Sequence, residues 1–285
     1  MLNRTRREFL KDSLVAGAGL IALPAVFNSC SGSGRKSSNL IQIAQIGCGR
    51  MGSGDMVSTM NHTDLCRVTA VCDLDSKRLA IARNTVEEFY KKNGIPGVQV
   101  KEFSDFHEVI NRPEIDAVIV SVPDHQHAFV AIRAVLAGKD VYVEKPVSYN
   151  IWEGRKMVEA ARKYNRIVEI GTQCRSGAYC KAARKYVEDG KLGQIHMCRV
   201  YNQKIWANQP KKPDSTPPAG LDWDRWVGPA PAHPYNVNHH SYWNHIWNYS
   251  GGDIANDASH QIDLARWVVG AKYPTTAYSV GGRFN

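Results

Sequence analysis

Ile41-Gln42-Ile43-Ala44-Gln45-Ile46-Gly47-Cys48-Gly49-Arg50-Met51-Gly52 is the stretch on which the fold turns. Its first six residues read as a short buried strand, and Gly47-x-Gly49-x-x-Gly52 stands where that strand gives way to a helix. Alone, such a glycine triplet is an ordinary tight turn. Three features of context make it a dinucleotide fingerprint: the strand before it, the helix after it, and an acidic residue ending the next strand. That residue is Asp73, 21 positions beyond Gly52. The glycines allow the backbone, with Arg50 and Met51 opening the helix, to approach a pyrophosphate held at the helix N-terminus. Asp73 is placed to accept hydrogen bonds from ribose hydroxyls. Its negative charge favours NAD over NADP, with Lys77 and Arg78 near enough to soften that preference.

Outward from the loop, short apolar runs alternate with helical periods. Strands are expected at Ile41–Ile46, 68–72, 116–122, Asp140–Val143 and 166–170, and helices at 76–92, 125–137 and 151–164. Ile81, Val86, Phe89 and Tyr90 mark the apolar face of the first of these helices. Nearly continuous apolar strands separated by helices imply a doubly wound parallel α/β sheet of the Rossmann type over 39–172. The rest, 173–285, is read as an incomplete α+β substrate domain with an open, mostly antiparallel sheet.

Upstream, 1–38 reads as an address followed by a leader. Thr5-Arg6-Arg7-Glu8-Phe9-Leu10-Lys11 resembles the twin-arginine export motif, and 13–27 is an apolar stretch of 15 residues, too short to span a bilayer comfortably. Cys30 stands where a lipobox places its lipidated cysteine, although Phe27-Asn28-Ser29 departs from the small or aliphatic residues expected there. A Ser/Gly-rich tether, 31–38, follows. The net charge of +9 includes +4 from 1–38, and the remainder is interspersed without a basic stripe, which argues against a nucleic-acid partner. Seven cysteines show no CxxC spacing. Unpaired thiols and a nucleotide loaded before export both suit the twin-arginine route, whose substrates cross already folded.

Two further motifs lie at carboxyl ends of strands, where an open parallel sheet binds its ligands. They are Val122-Pro123-Asp124-His125-Gln126-His127 and Glu144-Lys145-Pro146. With the fingerprint, they resemble the Gfo/Idh/MocA family, from about residue 40 to the end of the chain. The resemblance implies that Lys145 meets both nicotinamide and substrate, and that Pro123, His127 and Glu144 border the nicotinamide. Oxidising a carbinol requires a group that takes the hydroxyl proton while hydride departs. Lys145 is the first candidate. His125-x-His127 has a metal-pair spacing, but no third ligand follows, and no metal is expected.

In the second half, a helix is expected at 178–189 and an alternating strand at 194–203. The stretch 204–250 is irregular, with prolines at 210, 213, 217, 218, 229, 231 and 234. It holds Trp206, Trp223, Trp226, Trp243 and Trp247, five of the chain's seven tryptophans, so disorder is not expected. These rings could stack on a sugar, but most are read as fastening the loop. Gly251-Gly252-Asp253-Ile254-Ala255-Asn256-Asp257-Ala258-Ser259-His260 resembles the family's second catalytic element and opens a helix expected to run to about residue 269. His260 is a suitable proton acceptor near neutral pH. Asp257 or Asn256 could orient it; many relatives carry Asp where Asn256 stands here. Only one further strand, 275–282, is expected, so the domain reads as truncated.

The resemblance implies a periplasmic or cell-envelope oxidoreductase using tightly bound NAD on a sugar, polyol or glycoside. Its partners would be that small carbohydrate, the twin-arginine machinery, the membrane only through Cys30, and a second copy of itself. A redox-neutral NAD-dependent glycosidase is the alternative, disfavoured by Glu144-Lys145-Pro146. A non-catalytic sugar-binding lipoprotein is another.

Overall fold

The computed structural model describes residues 40–202 and 210–281. The twin-arginine motif, the apolar stretch behind it, Cys30, the tether and Trp206 lie outside the described residues. Among the described residues no helix is long and apolar enough to cross a membrane.

Six parallel strands form one sheet: β1 (Ile41–Ile46), β2 (Cys66–Cys72), β3 (Lys101–Phe103), β4 (Ala117–Val120), β5 (Asp140–Val143) and β6 (Val168–Ile170). Their order is β3-β2-β1-β4-β5-β6, the doubly wound arrangement expected. Between them run α1 (Arg50–Met60), α2 (Ser76–Lys92), α3 (Phe106–Ile110), α4 (Asp124–Leu136) and α5 (Ile151–Tyr164). One face of the sheet packs α4 and α5 through Ala131, Val135 and Met157 against Val118, Val120, Val141 and Val143. The other packs α1 and α2 through Met56, Met60, Val86 and Tyr90 against Val68 and Val71. In α2 the inward positions are Ala82, Val86 and Tyr90, at four-residue spacing, with Phe89 alongside. Ile81 therefore turns to solvent, contrary to the face drawn from sequence, because it is one position out of that register.

The strand order reverses between β1 and β4, and the crevice beyond their carboxyl ends is where ligands bind in such sheets. Both the glycine loop and the Val122–His127 motif open there.

The second half contributes α6 (Ala178–Glu188), the short helices α7 (Trp223–Val227) and α8 (Val237–Ser241), then α9 (Asp253–Asn256) and α10 (Ala258–Val268). Helix α6 packs on α10. The Arg184 guanidinium lies 4.7 Å over the Trp267 ring, and Arg175 is paired with Asp263. Of the strands expected at 194–203 and 275–282, the described residues 194–202 and 275–281 carry no ladder and are largely exposed. Alternation gives a strand its faces, but only a neighbouring chain gives it hydrogen bonds. Antiparallel pairing in this half is confined, among the described residues, to the bridges Asp75–Leu221 and Ser215–Tyr235. Cys48, Cys66, Cys72, Cys174, Cys180 and Cys198 are free thiols.

Candidate active site

The glycine loop is shaped by contacts that exclude side chains. Gly47 has φ +87°, and a Cβ there would sit 2.5 Å from the Ser121 carbonyl oxygen; a Cβ on Gly52 would sit 1.9 Å from that of Gly47. Gly49 caps α1 without a side-chain hydrogen bond, and no acidic residue stands in the first turn. The free amides of this helix end therefore suit an anion. Buried Gln45 braces the loop from below, its Nε2 donating to Gly47 O at 2.8 Å. Asp73 accepts from the Cys48 amide at 2.7 Å and the Asp75 amide at 2.8 Å. Those bonds occupy about half of a carboxylate's acceptor capacity, leaving lone pairs for ribose hydroxyls. Burial raises the Asp73 pKa. The donors and the close-approach glycines thus fit a dinucleotide.

At the neighbouring strand end, Asp124, His125, Gln126 and His127 are all buried in the first turn of α4. His125 Nε2 lies 3.1 Å from Val227 O, and Gln126 Nε2 donates to Trp226 O at 2.6 Å, so both hold the aromatic loop. His127 Nδ1 donates to Pro146 O at 2.6 Å and braces the turn that carries Lys145. Burial pushes the His127 pKa down to about 4, so the ring is neutral at pH 7. The two imidazoles are thus directed at separate backbone carbonyls. No cluster of three or more His, Cys, Asp or Glu suited to a metal exists among the described residues.

Glu144 is buried and accepts from Tyr142 Oη and from the Lys145 amide, each at 3.2 Å. A Cβ at Gly171 would lie 2.4 Å from Glu144 Oε1, so the next strand end is kept bare to admit the carboxyl group. Burial and the charge of Asp55 raise the Glu144 pKa; Asp55 itself accepts from Ser121 Oγ at 2.7 Å. Lys145 Nζ donates to the main-chain oxygen of Asn256 at 2.8 Å. Burial lowers its pKa, opposed by the charges of Asp124 and Glu144 and reinforced by Arg50.

That bond accounts for a departure from the single helix expected over 253–269. The helix is broken at Asp257. His260 N donates to Asp257 O at 3.0 Å, three residues back, rather than to Asn256 O as a continuous α-helix requires. The released Asn256 carbonyl takes Lys145 and, at 3.3 Å, Ser259 Oγ.

These elements enclose a cavity of about 1020 Å³. Gly47, Gly49, Arg50, Met51, Asp73, Pro123, His127, Glu144, Lys145, Asp257 and His260 all contribute to its wall; Gly52 lies behind it. Arg78 and Asn256, both weighed from the sequence, also line it, as do Asp124 and the stretch 240–245, of which sequence reading names only Trp243. Asp124 lay inside a motif already noted, and its signal was that position. Trp223 and Trp226 stack at 4.7 Å and form a small core with Tyr235 and Tyr249, packed on Leu74. They fasten the loop, whereas Trp247 is 76% exposed.

Two family models match the chain in succession. One described as "Oxidoreductase family, NAD-binding Rossmann fold" covers residues 41–172, and one described as "Oxidoreductase family, C-terminal alpha/beta domain" covers 176–280. The chain belongs to the Gfo/Idh/MocA oxidoreductase family. Residues 41–172 are its NAD-binding Rossmann domain. Among relatives, inositol 2-dehydrogenase of Klebsiella pneumoniae strain 342 is 30% identical over 173 residues, which is 59% of this chain and 48% of that one. Myo-inositol 2-dehydrogenase of Thermotoga maritima is 26% identical over 230 residues, 81% of this chain and 55% of that one. The WlbA dehydrogenase of Bordetella pertussis, solved in complex with NADH and UDP-GlcNAcA, shares the fold with a TM-score of 0.61 at 24% identity, over 82% of this chain and 56% of that one. The chain spans about half the length of these relatives.

Proposed function

We propose that this Gfo/Idh/MocA chain carries the active centre of an NAD-dependent dehydrogenase acting on a secondary alcohol of a sugar, polyol or glycoside. The observation that carries this reading is Lys145, a half-buried amine with lowered proton affinity, in one cavity wall with the glycine loop, Asp73 and His260. When bound, NAD supplies a nicotinamide able to accept hydride from the carbinol carbon. Lys145 Nζ takes the hydroxyl proton, and burial raises the fraction of neutral amine available for it. His260 serves as the second proton-handling group, and Asp257 shares its wall of the cavity. Asp73 and the α1 amides fix the nucleotide, and His127 and Glu144 hold the turn from which Lys145 projects.

The relatives named as inositol dehydrogenases make inositols the first substrates to try, with glycosides next. Mature protein is mixed with NAD⁺ and this panel while nicotinamide absorbance is followed. Substrate-dependent reduction is expected. Its absence across the panel overturns the reading, and release of an aglycone without net reduction assigns the redox-neutral glycosidase chemistry instead.

Export belongs to the same proposal. Thr5–Lys11 and the apolar 13–27 support twin-arginine delivery to the cell envelope, with Cys30 as a lipid-attachment point and a second copy as partner. Replacing Arg6 and Arg7 by Lys should strand the protein in the cytoplasmic fraction. Unchanged fractionation would refute the route.

A further inference from the structure

Asp124 is a carboxylate that the chemistry above does not use. It opens α4 at the end of β4, is 1% exposed, and stands in the cavity wall with Lys145. A carboxyl group so deeply buried needs compensation. Ser250 Oγ, itself fully buried, donates to Asp124 Oδ2 at 2.6 Å, and the Asn256 side chain faces the same group. Asn256 is also the residue whose main-chain oxygen receives Lys145 Nζ at 2.8 Å. One residue of the second half therefore stands against both the acid and the amine, which come from the first half.

We propose that Asp124 is a positioning residue for Lys145: its carboxyl group seats the 250–256 segment that holds the amine and governs how firmly Lys145 keeps its proton. Burial pushes the Asp124 pKa up to about 7, against Ser250, Lys145 and Asn256, so its charge changes in the neutral range. The charged or titratable groups bearing on Lys145 are Asp124 and His127 from α4, Glu144 beside it and Arg50 from α1; His127, its pKa held down to about 4, stays neutral over the range tested, and His260 and Asp257 share the cavity wall. Ionised Asp124 tightens Lys145's hold on its proton, and neutral Asp124 relaxes it.

The assignment of Lys145 as proton acceptor rests on the dehydrogenase reading, but the test does not. In the full chain, Lys145 is acylated with trace isotopic acetic anhydride between pH 5.5 and 9, and its peptide is quantified by mass spectrometry. Only the neutral amine reacts. In the wild type, log rate should climb with less than unit slope where Asp124 ionises. In Asp124→Asn the slope should be uniform, and the rate at pH 8 higher by about threefold or more. Ser250→Ala removes a bond that favours the ionised acid, so the shallow region should move to higher pH. Identical profiles in wild type and Asp124→Asn overturn the proposal, as does a shallow region that persists in that variant, which assigns it to Glu144. Should Asp124→Asn fail to fold, Ser250→Ala decides: an unmoved or absent shallow region is equally fatal. Loss of the dehydrogenase reading alone would leave these profiles as expected.

Discussion

Val118, Val120, Val141 and Val143 of the sheet are each 3% exposed or less, whereas α6 and α10 of the second half bury only Cys180 and Ala258. The two halves hold their functional groups by different means. The glycine loop, Asp73 and the Glu144–Pro146 turn stand on strand ends fixed by apolar packing. Asn256, Asp257 and His260 are brought to the same cavity by polar ties: Lys145 to Asn256, Ser250 to Asp124, and Arg175 to Asp263. Apolar packing tolerates changes of pH and salt, while polar ties respond to both. The half that supplies His260 is therefore the adjustable one.

The sharpest break of this comparison is at Lys145, where the halves meet. Lys145→Ala should lower turnover about a thousandfold while NADH still titrates the protein fluorescence. Turnover retained, or nucleotide binding lost, would show that the two halves do not divide the work in this way.

A second measurement concerns His127, buried in the first half beneath the contact. The unfolded chain binds its proton below about 6.5, the folded chain only below about 4. His127 should therefore contribute a loss of stability as pH drops through that interval, with a limiting slope of about 1.4 kcal/mol per pH unit. His127→Asn, which keeps a donor for Pro146, should remove that contribution in a urea-unfolding series. Asp124 works in the opposite sense, since its folded pKa is raised from 3.8 to about 7, so it adds stability as pH falls between those values. The two contributions offset each other in the wild type, so Asp124→Asn should uncover the acid loss that His127 carries.

Smaller effects should separate the cores. Val118→Ala removes two fully buried methyl groups and is expected to cost about 2 kcal/mol in chemical denaturation. Ile262→Ala, on a residue 47% exposed, should stay within about 0.5 kcal/mol. Equal losses would show that the second half packs as tightly as the first.

The smallest effect should come from Asp263→Asn. Losing the Arg175 pair is expected to cost about 1 kcal/mol and to quicken hydrogen exchange along α10 without touching β4. Unchanged exchange in α10 would remove this pair from the ties that seat it.

Much of the first half was legible because its signals are local. The glycine spacing, the alternation of strands and Asp73 at a strand end each follow from a handful of neighbouring residues. Strand β3, Lys101–Phe103, escaped notice because three residues with two charges give no apolar run. The broken helix at Asp257 escaped for another reason. The sequence over 253–269 is a good helix, and the bond that opens it comes from Lys145, 111 residues away. Asp124 was quoted within its motif yet passed over, since its role depends on Ser250, 126 positions on. Among the described tryptophans of the aromatic loop, Trp223 and Trp226 turn inward as a local reading suggests, whereas Trp247 does not.

The gap in the helix at Asp257 carries one more consequence. Its donor lies on one side of the crevice and its acceptor on the other, so the bond exists only when the two sides are seated. The environment of the amine thus depends on contact between the two sides, which together strip its water and give it a fixed direction. Seating of the two sides and desolvation of the Lys145 amine are in this way a single event.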